Sequence, residues 1–378
     1  MALLHNLQLF DSFDNYWTVG TRMTYSKLEA LMWADGDVSK LKYHWMENTW
    51  DHVNFTVDPN LSWQELCIIR AKQIRDTHDW VCLWYSGGWD SAGVMQAFID
   101  AKCPIDEIAV ADWSHYYDDG EISHAFTNAN WYKTHINPNV IMRSTDLDFD
   151  HVNGWFENNK NWLTSPGDTI RFTRPNWGIR TNSHQDIIKD KERLNRAEVM
   201  GLEKPRMDIY NGMWRTFMPD TTMSNAAACG ATQFYCSHDL PELHIKQVHM
   251  AIRFFESNNF VTAEEVHGIQ NFKMFRNKNW YPDWNLGVGR YPPTNTNTLQ
   301  GTQKVSNPPG INAPMDKKLV DHARATSPKS FKIYNDGINQ LKEIVSWWDP
   351  NSFNFSKANL CSRFYSVQPV RQALPIQL

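Results

Sequence analysis

A chain of 378 residues, 42% hydrophobic and 21% charged, has room for one large domain or two ordinary ones with a substantial core, and is not of disordered composition. Its formal charge of −5 gives no basic face for nucleic acid, and no apolar run approaches the roughly 20 residues that span a bilayer. Six cysteines without paired spacing, and a start at Met1-Ala2-Leu3-Leu4 without the features of a secretory signal, lead to the expectation of a soluble cytoplasmic protein.

Residues 1–60 form an N-terminal extension of mixed pattern, with a helix-like stretch over 25–35 and turns at Asp35-Gly36 and Asp58-Pro59. Ser62 with Glu65 three residues later is a capping box, opening an amphipathic helix whose apolar face includes Leu66, Ile69 and Ile74. Trp80-Val81-Cys82-Leu83-Trp84-Tyr85 follows as a short apolar run suited to the centre of a parallel sheet. After the glycine-containing segment Ser86-Gly87-Gly88-Trp89-Asp90-Ser91 come a helix over 92–102, a strand over 105–113 and a helix over 122–135. A strand at Val140-Ile141-Met142 and a helix from Asp148 to about residue 162 complete the series. This alternation is the signature of an α/β fold with a doubly wound parallel sheet, expected over residues 61–200. Right-handed crossovers place the loops after successive strands on one sheet edge, where such folds bind ligands.

Beyond residue 165 the rhythm changes to a loop rich in Arg, Asn and Thr. A charged helix is expected over 184–200, stopped by Gly201. Asn211-Gly212 between residues 206–210 and 213–218 is a strong hairpin signal. Pro241 opens a helix to about residue 256, and Thr262 with Glu265 caps another. Residues 281–315 read as a lid or linker, followed by a helix over 330–347 and a poorly patterned tail. Residues 201–378 are thus expected to be a mostly helical substrate or lid region containing one hairpin.

The chemistry concentrates at residues 86–91. Gly87 and Gly88 can take positive φ and let the backbone approach a ligand with no Cβ in the way. Their N–H groups, at the start of a helix, form a nest for an anion, and the hydroxyls of Ser86 and Ser91 can donate to phosphate oxygens. Asp90 beside phosphates makes sense as a Mg²⁺ partner or as an anchor for loop N–H groups. The loop has no lysine and so is not a Walker A loop.

Ser86-Gly87-Gly88-Trp89-Asp90-Ser91 resembles the Ser-Gly-Gly-X-Asp-Ser loop of the PP-loop ATP pyrophosphatase superfamily, a HUP-like fold, with all six positions matched. The resemblance implies ATP and Mg²⁺ as cofactors, with Ser86, Gly87, Gly88, Trp89, Asp90 and Ser91 around the β,γ-pyrophosphate. The α-phosphorus is then open to attack by a carboxylate or carbonyl oxygen, and AMP is displaced by ammonia, an amine or a sulfur donor. Over most of its length the chain also resembles PP-loop proteins of tailed phages, some described as asparagine synthase-like. Residues 26–31 and 61–91 carry that likeness, as does Leu240-Pro241-Glu242-Leu243-His244-Ile245-Lys246-Gln247. The superfamily places adenine contacts after the second strand, which makes Asp112 a candidate for adenosine or metal contact; a solvated acidic loop with Asp118, Asp119 and Glu121 is the alternative.

Other candidates are weaker. Lys246, on the helix opened by Pro241, can neutralise charge on a phosphoryl group or be an ordinary exposed lysine. Asp220 is a second possible metal carboxylate. Arg143, Ser144 and Thr145 can face the crevice, and Arg171, Arg174 and Arg180 can hold a carboxylate or phosphate. Cys229, Cys236 and His238 lack the spacing of a zinc knuckle, unlike the zinc-bearing branches of the superfamily. The cysteine tail of phosphoadenylylsulfate reductases is absent, although Cys361 lies near the end. Position 2 is Ala2 rather than a glutaminase cysteine, so any ammonia or amine is expected from elsewhere. Three readings stay open: an adenylating ligase with an unidentified acceptor, a reductase or sulfur-transfer enzyme of the same fold, and a nucleotide-binding or host-interaction protein without turnover.

Overall fold

The computed structural model describes residues 15–112, 121–146, 157, 160–164, 195–201, 205–218, 220, 231–270, 324–325, 327–347 and 360–371. The expected lid over 281–315, the loop over 165–183 and most of the helices expected over 148–162 and 184–200 lie outside these residues.

The N-terminal extension is a small antiparallel sheet with a helix against it. Strands β1 (Asn15–Val19), β2 (Arg22–Thr24) and β3 (Leu41–Trp45) are ordered β2-β1-β3. Alternation along them turns Trp17, Tyr43 and Trp45 inward. Helix α1 (Lys27–Trp33) begins at Ser26, whose side chain accepts the Glu29 N–H, and it buries Leu28, Ala30 and Leu31. A short turn of helix, α2 (Glu47–Trp50), places Trp50 against Trp45, with ring centroids 4.9 Å apart.

Helix α3 (Trp63–Thr77) starts with the capping box of Ser62 and Glu65 and buries Leu66, Ala71 and Ile74. It leads to β4 (Trp80–Trp84), α4 (Trp89–Asp100), β5 (Glu107–Asp112), α5 (Glu121–His135) and β6 (Ile141–Asp146). Strand β7 (Arg196–Met200) follows, then the hairpin of β8 (Arg206–Tyr210) and β9 (Met213–Phe217), and then β10 (Thr232–Gln233). Helices α6 (Pro241–Ser257), α7 (Ala263–Gln270) and α8 (Pro328–Ile344) precede β11 (Tyr365–Pro369).

The centre is a five-stranded parallel sheet with flanking helices, ordered β10-β7-β4-β5-β6, so the fold is α/β. From β4 the chain steps outward through β5 to β6, then returns to the other side of β4 as β7 and β10. Strand order therefore reverses between β4 and β7. One face, with Val81, Leu83, Ile108, Val110, Ala197 and Val199, packs into the main core with Val94, Phe98 and Ala129 from the helices.

The opposite face carries a layer of paired charges. Arg196 reaches Glu198 at 2.5 Å and Glu107 at 2.9 Å, and Arg143 reaches Glu107 at 2.5 Å. Trp84 Nε1 donates to Glu198 at 2.5 Å, and Trp80 Nε1 donates to Glu107 at 3.3 Å. Two guanidinium and two carboxylate groups balance, which is the condition for keeping charge in a buried layer. The expected helix over 184–200 is corrected here, because residues 196–200 form β7. With Ala197 and Val199 toward the core and Arg196 and Glu198 on the ion-pair face, the period is two, and sheet pairing overrides the charged composition.

The hairpin is as expected, with Asn211 at φ +49° and Gly212 at φ +71°, the two positive values of a type I′ turn. The poorly patterned tail, by contrast, contains β11, which pairs antiparallel with β9 to give the order β11-β9-β8.

Candidate functional site

The carboxyl end of β4 delivers the chain to the point where strand order reverses, the place where open α/β sheets hold ligands. Tyr85 still belongs to the sheet ladder, its N–H donating to Ala109 O at 2.8 Å and its hydroxyl accepting from Asn128 at 2.9 Å. Ser86 is exposed, and Gly87 turns the chain at φ +79°. Gly88 is the N-cap of α4, with no side chain capping that end. The first helical N–H groups consequently lack both an intrahelical carbonyl and a side-chain cap.

Hydroxyl bonds close the loop. Ser91 Oγ donates to Gly88 O at 3.1 Å and accepts from Ser86 N–H at 3.3 Å. Ser86 Oγ lies 3.2 Å from Ser91 Oγ and accepts from Gly88 N–H at 3.4 Å. Ser91 is buried, so its hydroxyl shapes the loop, and Ser86 is the hydroxyl at the surface. Trp89 and Asp90 are the first two residues of α4. An acidic residue in that turn suits the positive end of the helix dipole. Asp112 is the last residue of β5, on the same carboxyl edge.

Two further residues meet the loop, and the sequence points to neither as part of the site. The Tyr235 hydroxyl donates to the backbone carbonyl of Asp90 at 2.8 Å, while its ring stacks on Trp63 with centroids 5.5 Å apart. Gly201, directly after β7, runs so close to α4 that a Cβ there would lie 3.0 Å from the same Asp90 oxygen and 2.8 Å from Val94 Cγ2. Gly201 reads in the sequence as a helix stop, and its place beside the loop follows only from β7 being a strand. Tyr235 is one aromatic residue in an unpatterned stretch and carries no local signal.

Other candidates are placed elsewhere. Lys246 Nζ donates to Asp58 at 3.0 Å and to Pro59 O at 2.8 Å, and Arg253 joins Asp58 at 2.5 Å, so Lys246 ties α6 to the turn before α3. The Asp220 carboxylate is wholly buried, 2.6 Å from Lys27 Nζ, and accepts from Trp17 Nε1 at 3.1 Å and Leu360 N–H at 3.2 Å. These partners make Asp220 an internal ion pair, away from the metal role the sequence allowed it. Arg143, Ser144 and Thr145 lie within β6 rather than after it, with Arg143 stacked over Trp84. Cys236 Sγ is 3.4 Å from His244 Nδ1, whereas His238 pairs with Asp239 at 2.9 Å, so the two residues turn to different partners. Among the described residues no three His, Cys, Asp or Glu side chains gather as a metal site. Glu121 opens α5, while Asp118, Asp119, Arg171, Arg174, Arg180 and Cys229 lie outside the described residues.

Set against models of protein families, curated proteins and solved structures, the chain matches none. Among the described residues no helix is long and apolar enough to cross a membrane.

Proposed function

We propose that the chain is a PP-loop protein with a doubly wound sheet, binding ATP by its pyrophosphate end at residues 86–91. In this reading it adenylates a carboxylate or carbonyl oxygen of an acceptor. The observation that carries the reading is the placement of the loop. A glycine at φ +79° stands three residues past the end of the central strand, and a second glycine opens α4, at the point of strand-order reversal. A cradle of this kind fits a phosphate chain, since neither Gly87 nor Gly88 puts a Cβ between the backbone N–H groups and a ligand. Ser86 would add a surface hydroxyl, and Asp90 in the first turn would hold Mg²⁺ between its carboxylate and the phosphates.

When bound, ATP would supply an electrophilic α-phosphorus with pyrophosphate as the leaving group. The chain's own part is to hold the terminal phosphates against fixed N–H dipoles, which favour the charge of departing pyrophosphate. No lysine stands in the loop to serve γ-phosphoryl transfer. Among the described residues, the thiols also favour ligation over a thiol-dependent reaction. Burial holds Cys67, Cys82, Cys103 and Cys361 in the protonated form, with pKa values pushed up, and Cys236 is enclosed in the core.

The test uses ATP labelled at the α or γ position, incubated with the protein in cell extract as a source of acceptor. AMP and pyrophosphate, lost in Asp90→Ala, are expected. Asp90-dependent ADP and phosphate would mean that the phosphate register is wrong. By calorimetry, Gly87→Val should weaken Mg²⁺-dependent ATP binding at least tenfold, because a branched side chain resists positive φ and fills the cradle. Unchanged affinity in a folded Gly87→Val protein would end the reading.

A further inference from the structure

The contact between Tyr235 and Asp90 joins residues 145 positions apart, and it falls on the backbone rather than on a side chain. Asp90 O belongs to the peptide unit that carries the Ser91 N–H on its other side. A trans peptide is planar, so fixing the direction of that oxygen fixes the opposite direction of the Ser91 N–H. The Ser91 N–H is among the first-turn donors with no carbonyl inside the helix, and it points out of the helix start. A hydroxyl at Asp90 O therefore aims a donor on the ligand side of the loop.

Tyr235 is well placed to hold this direction. Its ring is 2% exposed, stacked on Trp63 and met edge-on by Phe234 at 5.1 Å. The neighbouring Phe234 N–H donates to Met200 O at 3.1 Å, which ties the segment after β10 to the end of β7. The next residue along β7 is Gly201, whose missing Cβ allows close approach to the same Asp90 oxygen. The ends of two neighbouring strands thus converge on one carbonyl of α4.

We propose that Tyr235 is a positioning residue for the phosphate loop, its hydroxyl orienting the first turn of α4 and so the N–H groups that receive the ligand. The identity of that ligand rests on the ATP reading above. The ring and the hydroxyl are separable. Tyr235→Phe keeps the stack on Trp63 and removes only the donor, so a tyrosine that merely fills the core would tolerate the change.

The experiment has two arms on the full chain. Hydrogen exchange without nucleotide compares wild type with Tyr235→Phe and Gly201→Ala, and calorimetry measures MgATP and magnesium pyrophosphate binding. Both variants should exchange faster over residues 92–95, with α3 and α6 unchanged. Tyr235→Phe should bind both probes three- to tenfold more weakly, about the loss of one hydrogen bond. Unchanged exchange over residues 92–95 in Tyr235→Phe overturns the proposal, as does an exchange change spread over α3 and α6, or faster local exchange with unaltered affinity. If wild type binds neither probe, the ATP reading fails and Tyr235 loses its ligand-directed role, while the exchange arm still decides whether the hydroxyl orients α4.

Discussion

His244 is enclosed by Trp45, Trp50 and Phe55, at centroid distances of 5.3, 4.9 and 6.3 Å, and is 1% exposed. Burial pulls its pKa down to about 3, so the ring stays neutral in the folded chain, while the unfolded imidazole titrates near 6.5. Between those values the unfolded state binds the extra proton. Stability is therefore lost as pH falls from about 6.5 toward 3, by ~1.4 kcal/mol per pH unit at most, and this group adds no slope above that window. Urea unfolding at stepped pH should show the decline, and His244→Phe should reduce its slope. His249, donating to Phe55 O at 3.0 Å, is also shifted down by burial and should leave a residual slope. An identical slope in His244→Phe would show that carboxylates, not this imidazole, set the acid sensitivity. Residues of this kind were not legible in the sequence, because a histidine in a helix does not reveal what encloses it. Gly87 was legible, since a Gly-Gly pair between a strand and a helix states its own conformational need.

Among elements, β7 separates what local pattern can tell from what it cannot. Helices α3 and α4 and strands β4 and β5 announced themselves by caps and apolar periodicity, and the Asn211-Gly212 turn by its own chemistry. Strand β7 did not, because two of its five residues are charged, and Arg196 is held both by Glu198 beside it and by Glu107 on β5, across β4. Strand β10 has only two residues, too few for any period to show. The same limit hides part of the candidate site, where the loop is a local pattern but Gly201 and Tyr235 arrive through strands β7 and β10, which carry no local signal. The ion-pair layer also has a measurable consequence. Removing Arg196 leaves Glu198 and part of Glu107 uncompensated in a buried place. Arg196→Met should cost ~3–5 kcal/mol, as for other broken buried pairs. Adding Glu198→Gln should restore part of the loss, since one unmatched charge disappears. Chemical denaturation of the single and double variants measures both steps, and equal stability of the two would show that Glu198 keeps its charge solvated some other way.

At the scale of the whole molecule, the N-terminal sheet is built into the body of the protein. Trp45 and Trp50 pack on His244 of α6, Lys246 and Arg253 hold Asp58, and Lys27 of α1 meets Asp220. Asp220 N–H donates to Leu360 O at 3.1 Å, and Met218 and Ser362 are joined the same way at 2.9 Å, so this ion pair sits where three distant stretches of chain meet. Both charged side chains are essentially out of water, at 3% and 0% exposure, which puts the pair in the regime where losing one partner is severe. Asp220→Asn keeps the shape, but its single amide oxygen can replace only one of the two carboxylate oxygens that accept from Trp17 and Leu360, and it leaves the Lys27 ammonium without its countercharge. It should lower unfolding free energy by ~3–5 kcal/mol. Because Lys27, Trp17 and Leu360 are structural partners, the folded fraction of Asp220→Asn should bind MgATP as wild type does. Asp90→Asn should behave in the opposite way, with little loss of stability at a half-buried first-turn position and a loss of Mg²⁺-dependent affinity. Denaturant titration and calorimetry on the two variants give four numbers, and the assignment requires them to cross. A stable Asp220→Asn protein that no longer binds MgATP would return Asp220 to the metal site and take the structural role from the ion pair.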